Sequence, residues 1–85
     1  MSTLLMKQNM KQQIRAMLEE ALPIVDFDSD FLFSELDSLG VTTILMMLSD
    51  TYDIRLDTTD ATPKNLRTLD SIVAMVEKKL AEKTT

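Results

Sequence analysis

The 85-residue chain contains no cysteine and no histidine, and it has one glycine and two prolines. Each shortage removes a class of chemistry. Without cysteine or histidine there are no thiolate nucleophiles, disulfides or imidazole bases, and the ligands that zinc and most transition metals prefer are missing. Triad catalysis is excluded, and no catalytic residue is assigned. A single glycine, Gly40, leaves little material for hairpins or phosphate-cradling loops, which favours an all-helical fold. The acids Asp26, Asp28 and Asp30 alternate as in a calcium loop but lack its glycine and its terminal glutamate, so no metal site is expected. Lys7, Gln8 and Asn9 interrupt the apolar residues of the first ten positions, leaving no leader or membrane-spanning run. A cytoplasmic protein is the expectation.

What is present suits one small domain over residues 1–85, since 45% of the residues are apolar and 27% charged. A chain this short does not bury enough surface for both a core and a deep catalytic pocket. The net charge of −5 is unevenly spread: residues 1–23 carry +1, residues 24–62 carry −8 and residues 63–85 carry +2. Nucleic acid is excluded as a partner, because binding a phosphate backbone requires clustered Lys and Arg. Basic protein surfaces fit the acidic middle third better.

Met6, Met10, Ile14, Met17, Leu18, Ala21 and Leu22 recur at helical spacing and predict an amphipathic helix over 3–22, which Pro23 stops. Residues 23–37 mix acids with Ile24, Val25, Phe27, Phe31, Leu32 and Phe33 without a clean period, and read as a long loop pinned to the core by its aromatics. Loops of this length in small domains tend to be functional. This one delivers the chain to Ser38.

Asp37 is a favoured N-cap, and Ser38 opens a helix expected over 38–52. Val41, Ile44, Leu45, Leu48 and Tyr52 fall on one side of it and are assigned to the core. The other side carries Leu39, Thr42, Thr43, Met46, Met47 and Asp50, so the helix is apolar nearly all round. Such a helix is either deeply buried or presents a docking face. Thr62 and Pro63 form an N-cap and first-position pair for a short third helix over 62–66. Thr68 caps a last helix over 69–82 whose inner face is Leu69, Ile72, Val73, Val76 and Leu80, leaving Glu77, Lys78, Lys79 and Lys83 largely solvated. The aliphatic and thioether core of Met10, Ile14, Met17, Leu45, Leu48, Ile72 and Val76 has the character of a lining able to shelter an apolar guest.

The run Leu36-Asp37-Ser38-Leu39, set after a helix and an acidic loop, resembles the phosphopantetheine attachment motif of the acyl carrier protein family. The likeness extends over roughly residues 10–80 and takes in Phe27, Phe31, the Tyr52-Asp53-Ile54 helix end and the run from Thr62 to Asp70. It implies an all-α, acyl-carrier-like four-helix bundle with three long helices and a short third one. It also implies a 4'-phosphopantetheine arm, drawn from coenzyme A, on Ser38, with Asp37 and Leu39 flanking it. The residues support the same idea independently: a serine in a helix's first turn sits beside unpaired backbone N–H groups that favour a phosphodiester. A thiol-free chain needs an external thiol for thioester chemistry and holds no internal competitor for the cargo. With Asp37 the only neighbouring base, activation of the hydroxyl falls to a separate phosphopantetheinyl transferase.

The expected protein is therefore not an enzyme but a monomeric phosphoprotein that carries acyl thioesters for fatty-acid, polyketide or related lipid metabolism. Its expected partners are the transferase, acyl-transferring or condensing enzymes or an acyl-activating ligase, met through Leu39, Thr43, Met46, Met47 and Asp50. Two departures from the family pattern mark a specialised carrier. Thr43 and Ser49 stand where fatty-acid carriers place glutamates, and Glu35 replaces a glycine common three residues before the serine. The run Leu-Asp-Ser-Leu-Gly also resembles aminoacyl carriers, including D-alanyl carriers, which makes them the first alternative. A helix cap at Asp37 and Ser38 with no modification, in a helical adaptor docking through the 38–52 helix, is the second.

Overall fold

The computed structural model describes the backbone of residues 3–83 and side chains from residue 9 to 83. Four α-helices follow one another: α1 (Thr3–Ala21), α2 (Leu32–Glu35), α3 (Ser38–Tyr52) and α4 (Leu69–Lys83), with a 3-10 helix at Thr58–Asp60 between the last two. No strand occurs among the described residues. The fold is the all-helical, carrier-like bundle that the sequence implies. Helix α1 packs on α4, and α3 packs against both.

The core is where the three apolar stripes meet. Ile14 and Leu18 of α1, Ile44 and Leu48 of α3, and Ile72 and Val76 of α4 are fully buried. Full burial of one such side chain stabilises the fold by about 1.5–3 kcal/mol. Met10, Met17, Leu22, Val41, Tyr52 and Leu80 pack around this centre half-buried. Ala21 is exposed, and the Met6 side chain lies outside the described residues. Leu45 is buried but stands apart from the main cluster, whereas Met75, on no predicted stripe, belongs to it.

Two connections differ from expectation. The 23–37 segment is not all loop: Leu32–Glu35 make one helical turn because Leu32 is fully buried and its amide donates to the Arg67 carbonyl at 2.9 Å. The anchors of this segment are Phe27 and Leu32, while Ile24 and Phe31 are 96% and 69% exposed. In the 62–66 segment the expected short helix is only a turn. The Leu66 amide reaches the Thr62 carbonyl at 3.0 Å and Asn65 N–H donates to Thr62 Oγ1, so the predicted cap forms. The turn cannot lengthen, because Thr68 must leave helical geometry to cap α4, exchanging hydrogen bonds with Ser71. One hydrogen-bonded turn is all the available residues allow.

Ion pairs tie the connections to the helices. Arg15 of α1 bonds Asp28, Lys11 reaches Asp70 at 2.8 Å, and Lys83 Nζ donates to the carbonyl and carboxylate of Asp53 at 2.7 and 2.9 Å. Asp53 ends α3 in the left-handed region at φ 52°, and is the only described non-glycine residue there. Lys79 departs from the sequence reading, because it is half-buried in an ion pair with Asp60 at 3.2 Å.

Candidate functional site

Asp37 adopts extended backbone geometry (φ −94°, ψ 179°), and its side chain accepts the Gly40 N–H at 2.7 Å. Its carbonyl accepts the Val41 amide at 2.9 Å. The side-chain cap fixes the first turn of α3 and satisfies one of its leading amides, that of Gly40, while the Val41 bond is the first regular bond of the helix. The amides of Ser38 and Leu39 remain without a helical partner and face the end where the helix dipole is positive. Ser38 itself is exposed, and its hydroxyl enters none of the hydrogen bonds of the described side chains.

Gly40 is buried on the inner side of this turn. A Cβ there would stand 3.2 Å from Asp37 Oδ1, 3.6 Å from Leu36 and 3.9 Å from Leu22. The glycine thus lets the capping carboxylate lie close against the helix. The same bond commits the Asp37 carboxylate to the backbone. No other base adjoins Ser38 in the sequence, and none of the hydrogen bonds of the described side chains reaches its hydroxyl.

A hollow of about 310 Å³ opens beside Ser38, lined by Phe33, Leu36, Asp37, Val41, Thr58 and Ala61 among others. It shares Thr42 and Thr58 with a second hollow of about 440 Å³ that continues along α3 past Leu45, Met46 and Ser49 to Asp50. Leu56, Asp57 and Thr58 form the opposite wall of this second hollow. Together they make a trough from the serine down the flank of α3. Another hollow, of about 500 Å³, adjoins the second through Asp57 and is lined mostly by charged residues, among them Asp53, Lys79 and Lys83.

The predicted partner residues separate into two groups. Leu39 and Met46 are 73% and 61% exposed, and with Asp50 they follow the spacing of one helix face. Met47 instead packs against the core, and Thr43 is half-buried. The Thr42 and Thr43 hydroxyls donate to the carbonyls of Ser38 and Leu39 at 2.9 and 2.8 Å, so this face offers methyl groups rather than free hydroxyls. Sequence reasoning missed the second wall of the trough, Leu56 to Ala61. Its signal was present in the Asp57-x-x-Asp60 pair, which forms a reciprocal capping box.

An exposed serine thus opens a long helix and is flanked by a trough. The family model described as "Phosphopantetheine attachment site" matches residues 12–76, most of the chain. The chain belongs to this family, that of carrier proteins with a covalently attached 4'-phosphopantetheine. No curated protein and no solved structure matches it. Carriers of the family are modified by phosphopantetheinyl transferases and interact with acyl-handling enzymes. No helix among the described residues is long and apolar enough to cross a membrane.

The residues around Ser38 fit such a group: unpaired amides of the helix start would suit its phosphodiester, and Leu36, Val41 and Ala61 of the adjoining trough would meet the apolar part of the arm. When bound, the arm supplies a terminal thiol able to hold cargo as a thioester, chemistry that a chain without cysteine lacks.

Proposed function

We propose that Ser38 is the attachment residue and that the protein is an acyl carrier, itself without catalytic activity. The observation that carries this reading is the free, exposed Ser38 hydroxyl at the start of α3, with the neighbouring carboxylate already engaged by Gly40. A hydroxyl in that state is available to an external enzyme and idle without one. Asp37 holds the helix start, and Leu39 stands next to the serine as an apolar contact for the enzymes that read it.

Cargo in this reading is an aliphatic acyl group of fatty-acid, polyketide or related biosynthesis. Its support is the apolar part of the trough, where Leu45, Met46 and Leu56 offer hydrocarbon, whereas Asp50 and Asp57 at its edge are the groups that would suit an α-amino cargo. Gly40 supports the aminoacyl alternative, since it completes the Leu-Asp-Ser-Leu-Gly run. The partner face consists of Leu39, Met46 and Asp50, with Thr43 at its margin. Met47 contributes by backing the face from within. The protein acts as a cytoplasmic monomer among partners with apolar, weakly basic docking sites.

Offering the modified protein to acyl-activating and amino-acid-activating ligases tests the cargo. An acyl thioester released by hydroxylamine supports the acyl reading, whereas loading by the amino-acid-activating ligase alone replaces it with the aminoacyl one. Peptide mapping of the modified protein should place the arm on the peptide containing Ser38.

A further inference from the structure

The strap from Asp53 to Ala61 supplies the outer wall of the trough, and its 3-10 helix is held almost entirely by polar contacts. No residue of Thr58–Asp60 is buried. Asp60 is the hub. Its Oδ1 meets Lys79 Nζ of α4 at 3.2 Å, its Oδ2 accepts the Asp57 amide at 3.1 Å, and its carbonyl accepts the Asn65 side-chain amide at 3.0 Å. With side chains 28% and 17% exposed, Lys79 and Asp60 form the least solvated ion pair of the described residues. Water and salt therefore screen it least.

Buried Ile54 lies before this polar stretch and buried Leu66 beyond the strap, so the chain is fixed in the core on both sides of it. Between them Leu56 and Ala61 are half-buried. Thr58, at the crest, lines both hollows, and Leu45, 6% exposed, lies on the floor of the larger one. Movement of the 3-10 helix alone would widen the trough without unpacking α1, α3 and α4.

We infer that Lys79 and Asp60 form a latch, in which the ion pair from α4 to the 3-10 helix sets the Thr58 wall and its rupture opens the trough onto Leu45. Lys79 is a positioning residue that acts on the trough through Asp60. The control of cargo entry by this latch rests on the carrier reading. The opening itself does not.

The absence of native thiols makes the opening measurable in the unmodified protein. A Leu45→Cys variant places a thiol on the trough floor, and its maleimide labelling rate reports opening. Adding Lys79→Met, which keeps an apolar stem and removes the charge, should speed labelling about fivefold. Lys79→Arg should retain the slow rate. A Val73→Cys probe, buried in α4 away from the trough, should label at the same rate with and without Lys79→Met. As a second measurement that leaves Leu45 native, the Asp60 and Ala61 amides should exchange faster in Lys79→Met while the Ile72 amide does not. Unchanged labelling and exchange at the strap, or equal acceleration at Val73→Cys and Ile72, overturns the latch. Because no arm is needed, these results stand or fall separately from attachment at Ser38.

Discussion

Asp37 Oδ1 lies 2.7 Å from the amide nitrogen of Gly40 and 3.2 Å from the place a Cβ on Gly40 would take. The capping residue and the glycine are matched to each other, and Ser38 sits between them. The cap orders the helix start that presents the serine, and the small residue leaves room for the cap.

Removing the cap should therefore act on both stability and modification. Asp37→Ala is expected to cost about 1 kcal/mol in urea unfolding, with Asp37→Asn retaining most of that stability. Modification of Ser38 should slow in the alanine variant, because a frayed first turn no longer holds the hydroxyl and its neighbouring amides in one arrangement.

At Gly40 the expectation follows from space. A branched side chain must enter the contact among Asp37, Leu36 and Leu22, so Gly40→Val should lower stability by about 1–3 kcal/mol. Gly40→Ala should cost less, because the higher helix propensity of alanine opposes the 3.2 Å contact. Thermal melts of the two variants check the order.

Acid should loosen the strap. The Asp53 carboxyl lies below its ordinary value of 3.8, chiefly through the hydrogen bond from Lys83, and Asp57 lies below it chiefly through the Thr59 hydroxyl. A carboxylate with a lowered folded-state pKa stabilises the fold above its unfolded-state value, and that contribution is lost as pH falls through the folded value. The melting temperature should therefore hold down to about pH 4 and drop below it. The double variant Asp53→Asn, Asp57→Asn should show a shallower drop over the same interval.

The exposed and buried apolar residues should respond in opposite ways. Leu32→Ala, at a fully buried position, is expected to cost about 2–5 kcal/mol. Leu39→Ala and Met46→Ala should stay within about 0.5 kcal/mol of the parent protein and weaken binding to partner enzymes instead. A large stability loss at Met46 would place it in the core and remove it from the proposed docking face.

The three long helices were legible because local signals agree there: apolar residues at helical spacing, Asp37 and Thr68 as caps, and Pro23 as a stop. The position of Ser38 was legible for the same reason, since the cap and the helix start are neighbours in sequence. Helix α2 was hidden because its cause is remote, the carbonyl of Arg67 and the burial of Leu32. Lys79 read as solvated because its partner, Asp60, belongs to another segment. The face of α3 was half legible. Spacing alone joined Met47 to Met46, but packing against the core separates them. For the second wall of the trough the Asp57-x-x-Asp60 pair signals the local turn, but its place beside α3 depends on remote contacts such as Asp60 with Lys79.

The central claim is that this chain is modified on one serine. Intact mass measurement after incubation with a phosphopantetheinyl transferase and coenzyme A tests it most directly. A single increment equal to one phosphopantetheinyl group is expected, and none in Ser38→Ala. No increment in the parent protein, or an increment that survives Ser38→Ala, would contradict it.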